Sequence, residues 1–309
     1  MHKKIGLMFA GQGAQTPGMG ADLAAASEAA HSVFEQADSI LDWDLSNACF
    51  NGTAAKLKES RTCQPAIYTM AIACLAALQE RVDVSPTACG GLSLGEFAAA
   101  HAAGVIDFDA GLKLVKRRGE LMQQACRGSD GAMAAVLNAG EPLVKTVCTA
   151  HDVDIANMNC PGQIVISGKR EKIHTAISAL KEEGVSRIIP LEVDGAFHSR
   201  LMQPAAERFV KELEATEFSP PKCMFVQNFT GGRVDDPNSI RANLERQITG
   251  SVHWEQCVRT MINSGIDMLI EFGPGKVLTG FMRRINRQFP VANVSNVEQL
   301  EETVEKLQS

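Results

Sequence analysis

Residues 90–95 read Gly-Gly-Leu-Ser-Leu-Gly, and Glu96 follows them. The core of this stretch, from Gly91 to Gly95, fits the pattern G-x-S-x-G, in which a strand turns sharply into a helix and exposes a serine hydroxyl. Small residues precede the core, as at the end of a buried strand, and the Ala-rich run that follows Glu96 favours a helix. We therefore predict a strand–turn–helix unit with Ser93 at its tip. The alternative interpretation is a Gly-Ser-Gly turn without chemistry.

The composition is that of an ordinary soluble globular protein. The chain has 309 residues, of which 45% are hydrophobic and 21% are charged, and no apolar run reaches membrane-spanning length. We therefore expect no membrane association. A net charge of −6 disfavours nucleic acid as a partner. The nine cysteines show neither a C-x-x-C pair nor the spacing of metal ligands, which predicts buried thiols in a reducing cytoplasm and no metal site.

The order of apolar runs divides the chain into two subdomains. Residues 1–127 and 196–309 alternate strands with helices, and with the serine turn they predict a large α/β-hydrolase-like subdomain. Residues 128–195 follow the order β-α-β-β-α-β, which predicts a small ferredoxin-like subdomain inserted into the large one. In the large subdomain we expect one helix over Ala21–Leu41, and a turn formed by Gly231-Gly232 followed by Asp235-Asp236-Pro237.

A serine at such a turn needs a general base, and the chain offers seven histidines. His198 stands out because it lies in a stretch of small residues where the small subdomain rejoins the large one. A side chain there can face the cleft between the two. From position alone, a catalytic base and a residue beside a helix N-cap without a role are equally good interpretations.

Five motifs follow one another along nearly the whole chain. They are Phe9-Ala10-Gly11-Gln12-Gly13-Ala14-Gln15, Thr62-Cys63-Gln64-Pro65-Ala66, Gly91-Leu92-Ser93-Leu94-Gly95-Glu96, Asn157-Met158-Asn159-Cys160-Pro161-Gly162-Gln163 and Gly195-Ala196-Phe197-His198-Ser199. In this order they resemble the motifs of the malonyl-CoA:acyl carrier protein transacylases, and they are also similar to those of the acyltransferase domains of polyketide synthases. So many ordered motifs over this length make the resemblance highly specific.

The resemblance implies a role for each matching residue of the catalytic centre. Ser93 would be the nucleophile that takes the acyl group, and His198 the base that activates it, without a buried carboxylate behind it. The main-chain N–H groups of Gln12 and Leu94 would form the oxyanion hole. A main-chain carbonyl near His253 would orient the imidazole.

The resemblance also implies how the substrate is recognised. Arg118 matches the arginine that binds the free carboxylate of a malonyl group, and Arg117 is the competing candidate beside it. Gln64 and Asn159 belong to two further motifs and are expected to contact the substrate. Phe197 is expected to leave little room for a branched acyl group.

Two positions depart from the family pattern. Leu92 replaces the histidine that usually precedes the nucleophile, so packing behind the turn would change while the chemistry survives. His253 stands where relatives often carry Gln or Arg, which puts any side-chain role there in doubt.

The implied reaction is ping-pong transfer of a malonyl group from malonyl-CoA to an acyl carrier protein in fatty-acid synthesis, with no cofactor. We expect a cytoplasmic monomer. A hydrolase of the same fold, a non-catalytic synthase component and a transacylase of polyketide synthesis remain alternatives. For carrier-protein docking, the sequence favours the cluster Arg283, Arg284 and Arg287 together with Lys276 over the basic segment 113–117.

Overall fold

The computed structural model describes residues 3–193 and 195–308, which form ten strands and fourteen α-helices. The strands are β1 (Ile5–Phe9), β2 (Pro86–Gly91), β3 (Gly131–Leu137), β4 (Asp154–Cys160), β5 (Gln163–Lys169), β6 (Arg187–Pro190), β7 (Met224–Gln227), β8 (Gly232–Arg233), β9 (Met268–Phe272) and β10 (Val291–Val294). The helices are α1 (Ala21–Ala26), α2 (Glu28–Ile40), α3 (Leu45–Asn51), α4 (Ala54–Lys58), α5 (Ser60–Arg81), α6 (Gly95–Ala102), α7 (Phe108–Arg127), α8 (Glu141–Ala150), α9 (Arg170–Glu182), α10 (Gln203–Ala215), α11 (Pro237–Thr249), α12 (Trp254–Asn263), α13 (Val277–Ile285) and α14 (Val297–Gln308).

The large subdomain is built on a six-stranded sheet with the order β10-β9-β1-β2-β7-β8. All neighbouring strands run parallel except the last pair, β7 and β8. Every residue of β1 and β9 is buried, as expected for central parallel strands covered by helices on both faces. Phe9 lies opposite both Gly91 and Phe272, so the carboxyl ends of three central strands meet at one edge of the sheet. Ligand sites of open α/β sheets form at this edge.

The small subdomain is a four-stranded antiparallel sheet with the order β4-β5-β3-β6. Helices α8 and α9 cover one face and share an apolar core with the strands, including Val136, Ile166 and Leu180. This is the ferredoxin-like arrangement, and the predicted fold class is confirmed. At the free edge of β4, Met158 N–H donates to the carbonyl of Val252 at 2.9 Å, which ties the small sheet to the large subdomain.

Two local predictions are wrong. The expected helix over Ala21–Leu41 is broken at Ser27, whose backbone is extended and whose hydroxyl accepts the N–H of Ala30 to cap α2. The expected turn from Gly231 to Pro237 is present only at Gly231, because Gly232 and Arg233 form β8 and Pro237 begins α11. Asp236 caps that helix by accepting the N–H of Ser239, and the proline occupies the first helical turn.

Two further predictions concern the cysteine side chains and membrane-spanning helices. In the described part of the chain none of the nine cysteines forms a disulfide, and eight of them are buried. Among the described residues, no helix is both long enough and apolar enough to cross a membrane.

Candidate active site

The serine turn lies between the carboxyl end of β2 and the start of α6. Ser93 has a left-handed backbone with φ of 51°, a conformation that a residue other than glycine adopts only under constraint. The two flanking glycines make the turn sterically possible. A Cβ on Gly91 would overlap the main chain of Gly95, and a Cβ on Gly95 would overlap the carbonyl of Phe9. The predicted strand–turn–helix unit is therefore present.

Asn228 clamps the turn from the neighbouring strand. Its side-chain oxygen accepts the N–H of Ser93 at 2.6 Å, and its side-chain nitrogen donates to the carbonyl of Gly91 at 2.7 Å. Asn228 directly follows β7 and is fully buried. One amide thus fixes the main chain immediately before the nucleophile and at the nucleophile itself.

His198 contacts the nucleophile. Its Nε2 lies 2.8 Å from Ser93 Oγ, and its Nδ1 lies 2.7 Å from the main-chain carbonyl of Gln247, to which it donates. With Nδ1 as the donor, Nε2 is free to accept the serine proton. Burial, reinforced by the positive charge of Arg118, lowers the pKa of His198 to about 4, so the imidazole is neutral at pH 7. This geometry suits a general base beside a nucleophile.

The structure corrects the prediction that the main-chain carbonyl of His253 orients the imidazole of His198. Its carbonyl accepts the N–H of Cys257 inside α12, and its own N–H donates to the carbonyl of Asn228. The carbonyl that orients His198 belongs to Gln247, in the last turn of α11. The orienting group is main-chain, as expected, but it lies six residues earlier in the chain.

Arg118 is a buried cation beside the nucleophile, only 1% exposed. Its Nη2 donates to Ser93 Oγ at 3.1 Å and to Gln247 Oε1 at 2.9 Å, while its Nη1 donates to Gln64 Oε1 at 2.9 Å. Its Nε has no hydrogen-bond partner among the described residues. Burial lowers the pKa of Arg118 to about 10, so it keeps its charge at neutral pH. Arg117, the competing candidate, instead pairs with Glu120 and Glu212.

The two residues of the predicted oxyanion hole, Gln12 and Leu94, lie at the serine turn or against it. The loop after β1 presses against the serine turn, because a Cβ on Gly11 would overlap the carbonyl of Leu92. This contact brings Gln12 to the wall of the cleft that holds Ser93. Leu94 follows the nucleophile at the N-terminus of α6, where helix N–H groups point outward unpaired. In the described part of the chain, neither of these two N–H groups has an acceptor.

The site opens into a cleft of about 520 Å³ between the two subdomains. Ser93, Arg118 and His198 lie within it, and the predicted substrate residues Asn159 and Phe197 line its wall. The side-chain oxygen of Asn159 is buried without a hydrogen-bond partner among the described residues, so it is available to a ligand. Gln64 is not on the wall but behind it, where it holds Arg118.

Sequence reasoning missed Gln247 and Asn228. Gln247 lies on α11, a helix that was not predicted from the sequence. Asn228 had one available signal: a polar residue directly after a buried strand next to the strand that ends in the serine turn. Among the described residues, no group of three His, Cys, Asp or Glu side chains is placed to hold a metal ion.

The chemistry of this site follows from its parts. A serine with a neutral histidine beside it, two free N–H groups and a fixed buried cation can accept an acyl group that carries a negative charge. The fold and the site together are those of an acyl-transfer enzyme.

Comparison with known proteins is consistent with this class. The chain belongs to the acyl transferase domain family, which matches residues 7–305. It is 37% identical over 309 residues to the malonyl CoA-acyl carrier protein transacylase of Bacillus subtilis (strain 168), covering 98% of this chain and 97% of that protein. The crystal structure of the malonyl CoA-acyl carrier protein transacylase from Clostridium perfringens matches with a TM-score of 0.95 and 37% identity, covering 99% of this chain and 97% of that one.

A third match comes from a complex. A chain of the structure of a type II PKS acyl-carrier protein with its malonyl-transacylase matches with a TM-score of 0.94 and 34% identity, covering 98% of this chain and 99% of that one. The predicted resemblance and the predicted class of acyltransferase are confirmed.

Proposed function

We propose that the protein transfers the malonyl group of malonyl-CoA to the phosphopantetheine thiol of an acyl carrier protein, through an acyl-enzyme on Ser93, for fatty-acid synthesis. The names of its relatives support the substrate and the acceptor. The observation that carries the proposal is the contact between the Arg118 guanidinium and Ser93 Oγ at 3.1 Å. A buried cation at the nucleophile suits an acyl group with a free carboxylate.

In the first half-reaction, Ser93 Oγ attacks the thioester carbon while His198 Nε2 takes the hydroxyl proton. The thioester oxygen becomes an oxyanion, which the N–H groups of Gln12 and Leu94 would hold. The C–S bond then breaks, and the imidazolium returns the proton to the sulfur of coenzyme A. The malonyl group stays on Ser93 as an ester.

The second half-reaction reverses these steps with a different thiol. His198 takes the proton of the phosphopantetheine thiol, the sulfur attacks the ester carbon, and the proton returns to Ser93 Oγ. One thioester replaces another, so the exchange is nearly balanced in energy, and we propose that no cofactor takes part. What the site has to do is keep water away from the ester.

Arg118 supplies substrate selection in this proposal. Burial removes its guanidinium from water, and its partners Gln64 and Gln247 are neutral amides, so its charge is not consumed by a direct carboxylate partner. A malonyl carboxylate would provide that partner, whereas an acetyl group would leave the cation unpaired. Phe197 on the cleft wall supports a preference for an unbranched acyl group.

For carrier-protein docking, we favour the face of α13 that carries Lys276, Arg283 and Arg287. This face is basic and therefore complements the acidic surface of a carrier protein. All three residues are exposed, and Val277 at the start of the same helix lines the cleft. In the alternative segment 113–117, Lys116 pairs with Asp42. Because that cluster is partly neutralised, it offers a weaker field to an acidic partner.

The test compares transfer with hydrolysis. Purified protein would be incubated with malonyl-CoA, with and without a holo acyl carrier protein, and free malonate and malonyl-carrier protein would be quantified by mass spectrometry. We expect carrier-dependent transfer that far exceeds malonate release. Predominant malonate release with the carrier present would identify a hydrolase instead. Size-exclusion chromatography with light scattering would test the expected monomer. The absence of disulfides among the described residues supports a cytoplasmic location.

A further inference from the structure

Glu96, the first acidic residue after the serine turn, is a fully buried carboxylate near the active site. Its Oε2 accepts the main-chain N–H of Asn228 at 2.7 Å and the side-chain N–H of Gln247 at 2.9 Å, and its Oε1 accepts Gln227 Nε2 at 3.0 Å. All of these neighbours are donors. These hydrogen bonds favour the charged carboxylate over the neutral acid, whose proton would set a donor against a donor.

A single amide joins this carboxylate to Arg118. Gln247 donates from Nε2 to Glu96 and accepts at Oε1 from the Arg118 guanidinium at 2.9 Å. An amide has one donating end and one accepting end, so an acceptor at Glu96 turns the accepting end of Gln247 toward the cation.

The same amide is also connected to the catalytic pair. Gln247 Nε2 donates to the carbonyl of Ser93 at 3.1 Å, and the Gln247 carbonyl accepts from His198. In the described part of the chain Arg118 forms no direct ion pair. Its connection to the negative charge of Glu96 therefore runs through Gln247. Glu96 is the nearby anion that offsets the cost of burying the guanidinium.

We propose that Glu96 is a positioning residue for substrate selection: its carboxylate, acting through Gln247, holds the Arg118 guanidinium at Ser93 to receive the malonyl carboxylate. This inference rests on the proposed function, since it assumes malonyl transfer through Ser93. It assigns to the glutamate a role distinct from base catalysis, because Glu96 does not contact His198.

The test uses the Glu96→Gln variant, which keeps the size of the side chain and removes its charge. Two rates would be measured on each protein: acylation by malonyl-CoA, and labelling of Ser93 by an uncharged fluorophosphonate, which needs the Ser–His pair but not Arg118. The matched control is Glu271→Gln, since Glu271 is another buried glutamate, which accepts hydrogen bonds from Leu278, Thr279 and Asn293 away from the site.

We expect Glu96→Gln to lower malonyl acylation about tenfold or more and to change fluorophosphonate labelling by less than about threefold. In an Arg118→Ala background, the same change should cause no further loss of malonyl acylation, because its effect passes through the arginine. Glu271→Gln should leave the ratio of the two rates at the wild-type value.

Equal slowing of both reactions, additive losses in the double variant, or unchanged or faster malonyl acylation in Glu96→Gln would each overturn the inference. If Glu96→Gln does not fold, as judged by its thermal unfolding, Glu96→Asp keeps the acceptor-only carboxylate and would be tested with the same two rates. Failure of the wild-type protein to be acylated by malonyl-CoA would refute the proposed function itself, which is a separate outcome.

Discussion

Ser93 and His198 meet with left-handed backbones on both sides of the contact, with φ of 51° and 55° and an Oγ to Nε2 distance of 2.8 Å. A residue other than glycine pays about 1–2 kcal/mol for this conformation. Separate clamps hold each one: Asn228 bonds the main chain around Ser93, and Ser199 Oγ donates to the carbonyl of Ala196 at 2.6 Å beside His198. These clamps hold both strained backbones in place, and the strained conformations aim the two side chains at one point.

The role of Arg118 predicts a change in acyl selectivity. In Arg118→Ala, malonyl transfer should fall about 10²-fold or more, because the substrate carboxylate loses a buried charge-assisted partner. Acetyl transfer should be unchanged or improved. Steady-state kinetics with both thioesters would measure this, with Arg117→Ala on the same helix as the control. Equal losses for the two acyl groups would show that Arg118 is structural.

Much of this site was accessible from the sequence, for a physical reason. Ser93 lies in a short motif whose small residues are required locally, as the overlap around Gly91 and Gly95 shows, whereas the roles of His198 and Arg118 were predicted from the family resemblance. The orienting carbonyl of Gln247 was not accessible, because its place depends on how α11 packs more than a hundred residues after the serine. Nothing in the residues around Gln247 distinguishes it from a helix surface.

The two subdomains were predicted for a similar physical reason, and the two local errors also have a physical cause. Alternation of strands and helices is written in the spacing of apolar residues. Asp236 was assigned to a turn because the residues that favour turns are also the residues that cap helices. Ser27 was placed inside a helix although its side chain can also cap one. Only tertiary packing decides which of the two occurs.

The shifted ionisations predict different pH profiles for two reactions of Ser93. Burial raises the pKa of Glu96 to about 7, although its hydrogen bonds and the charge of Arg118 favour the anion and oppose this shift. Cys257 is the other titratable group that faces Glu96. The pKa of His198 is lowered to about 4. Malonyl acylation should therefore decline as the pH falls through about 7, when Glu96 gains a proton, although His198 is still a free base.

Labelling by an uncharged fluorophosphonate should persist until the pH approaches 4, when His198 itself becomes protonated. Rates measured in stopped-flow or quenched-flow experiments from pH 4 to pH 9 would show the difference. In Glu96→Gln the decline near pH 7 should disappear. Superimposable profiles for the two reactions would contradict this account of the glutamate.

The close packing at the serine turn predicts a loss of stability. Gly95→Ala should lower the free energy of unfolding by about 3 kcal/mol, because the added Cβ would overlap the carbonyl of Phe9. The control is Gly280→Ala on the exposed side of α13, where nothing lies within 4 Å of the added atom. That change should stabilise the protein by about 0.5–1 kcal/mol. Urea unfolding followed by circular dichroism would compare the two, and similar stabilities would show that the turn is not tightly constrained.

The proposed docking face predicts a partner-specific defect. Reversing the charge at Arg283 and Arg287 should raise the KM for the carrier protein, more strongly at low salt, and leave the KM for malonyl-CoA nearly unchanged. Lys145→Glu with Lys181→Glu is the matched control, since both lysines are exposed on helices that do not line the cleft. Unchanged carrier-protein kinetics at low salt would move the search to the segment 113–117.

The central claim is that Ser93 carries the malonyl group between two thiols. Mass spectrometry of the intact protein after brief incubation with malonyl-CoA tests it most directly, with peptide mapping to locate the modification. The account predicts one added malonyl group on Ser93, none in Ser93→Ala, an accumulation slowed about 10²- to 10⁴-fold in His198→Ala, and loss of the group when holo acyl carrier protein is added. A malonyl adduct that forms at the normal rate in Ser93→Ala would contradict the account.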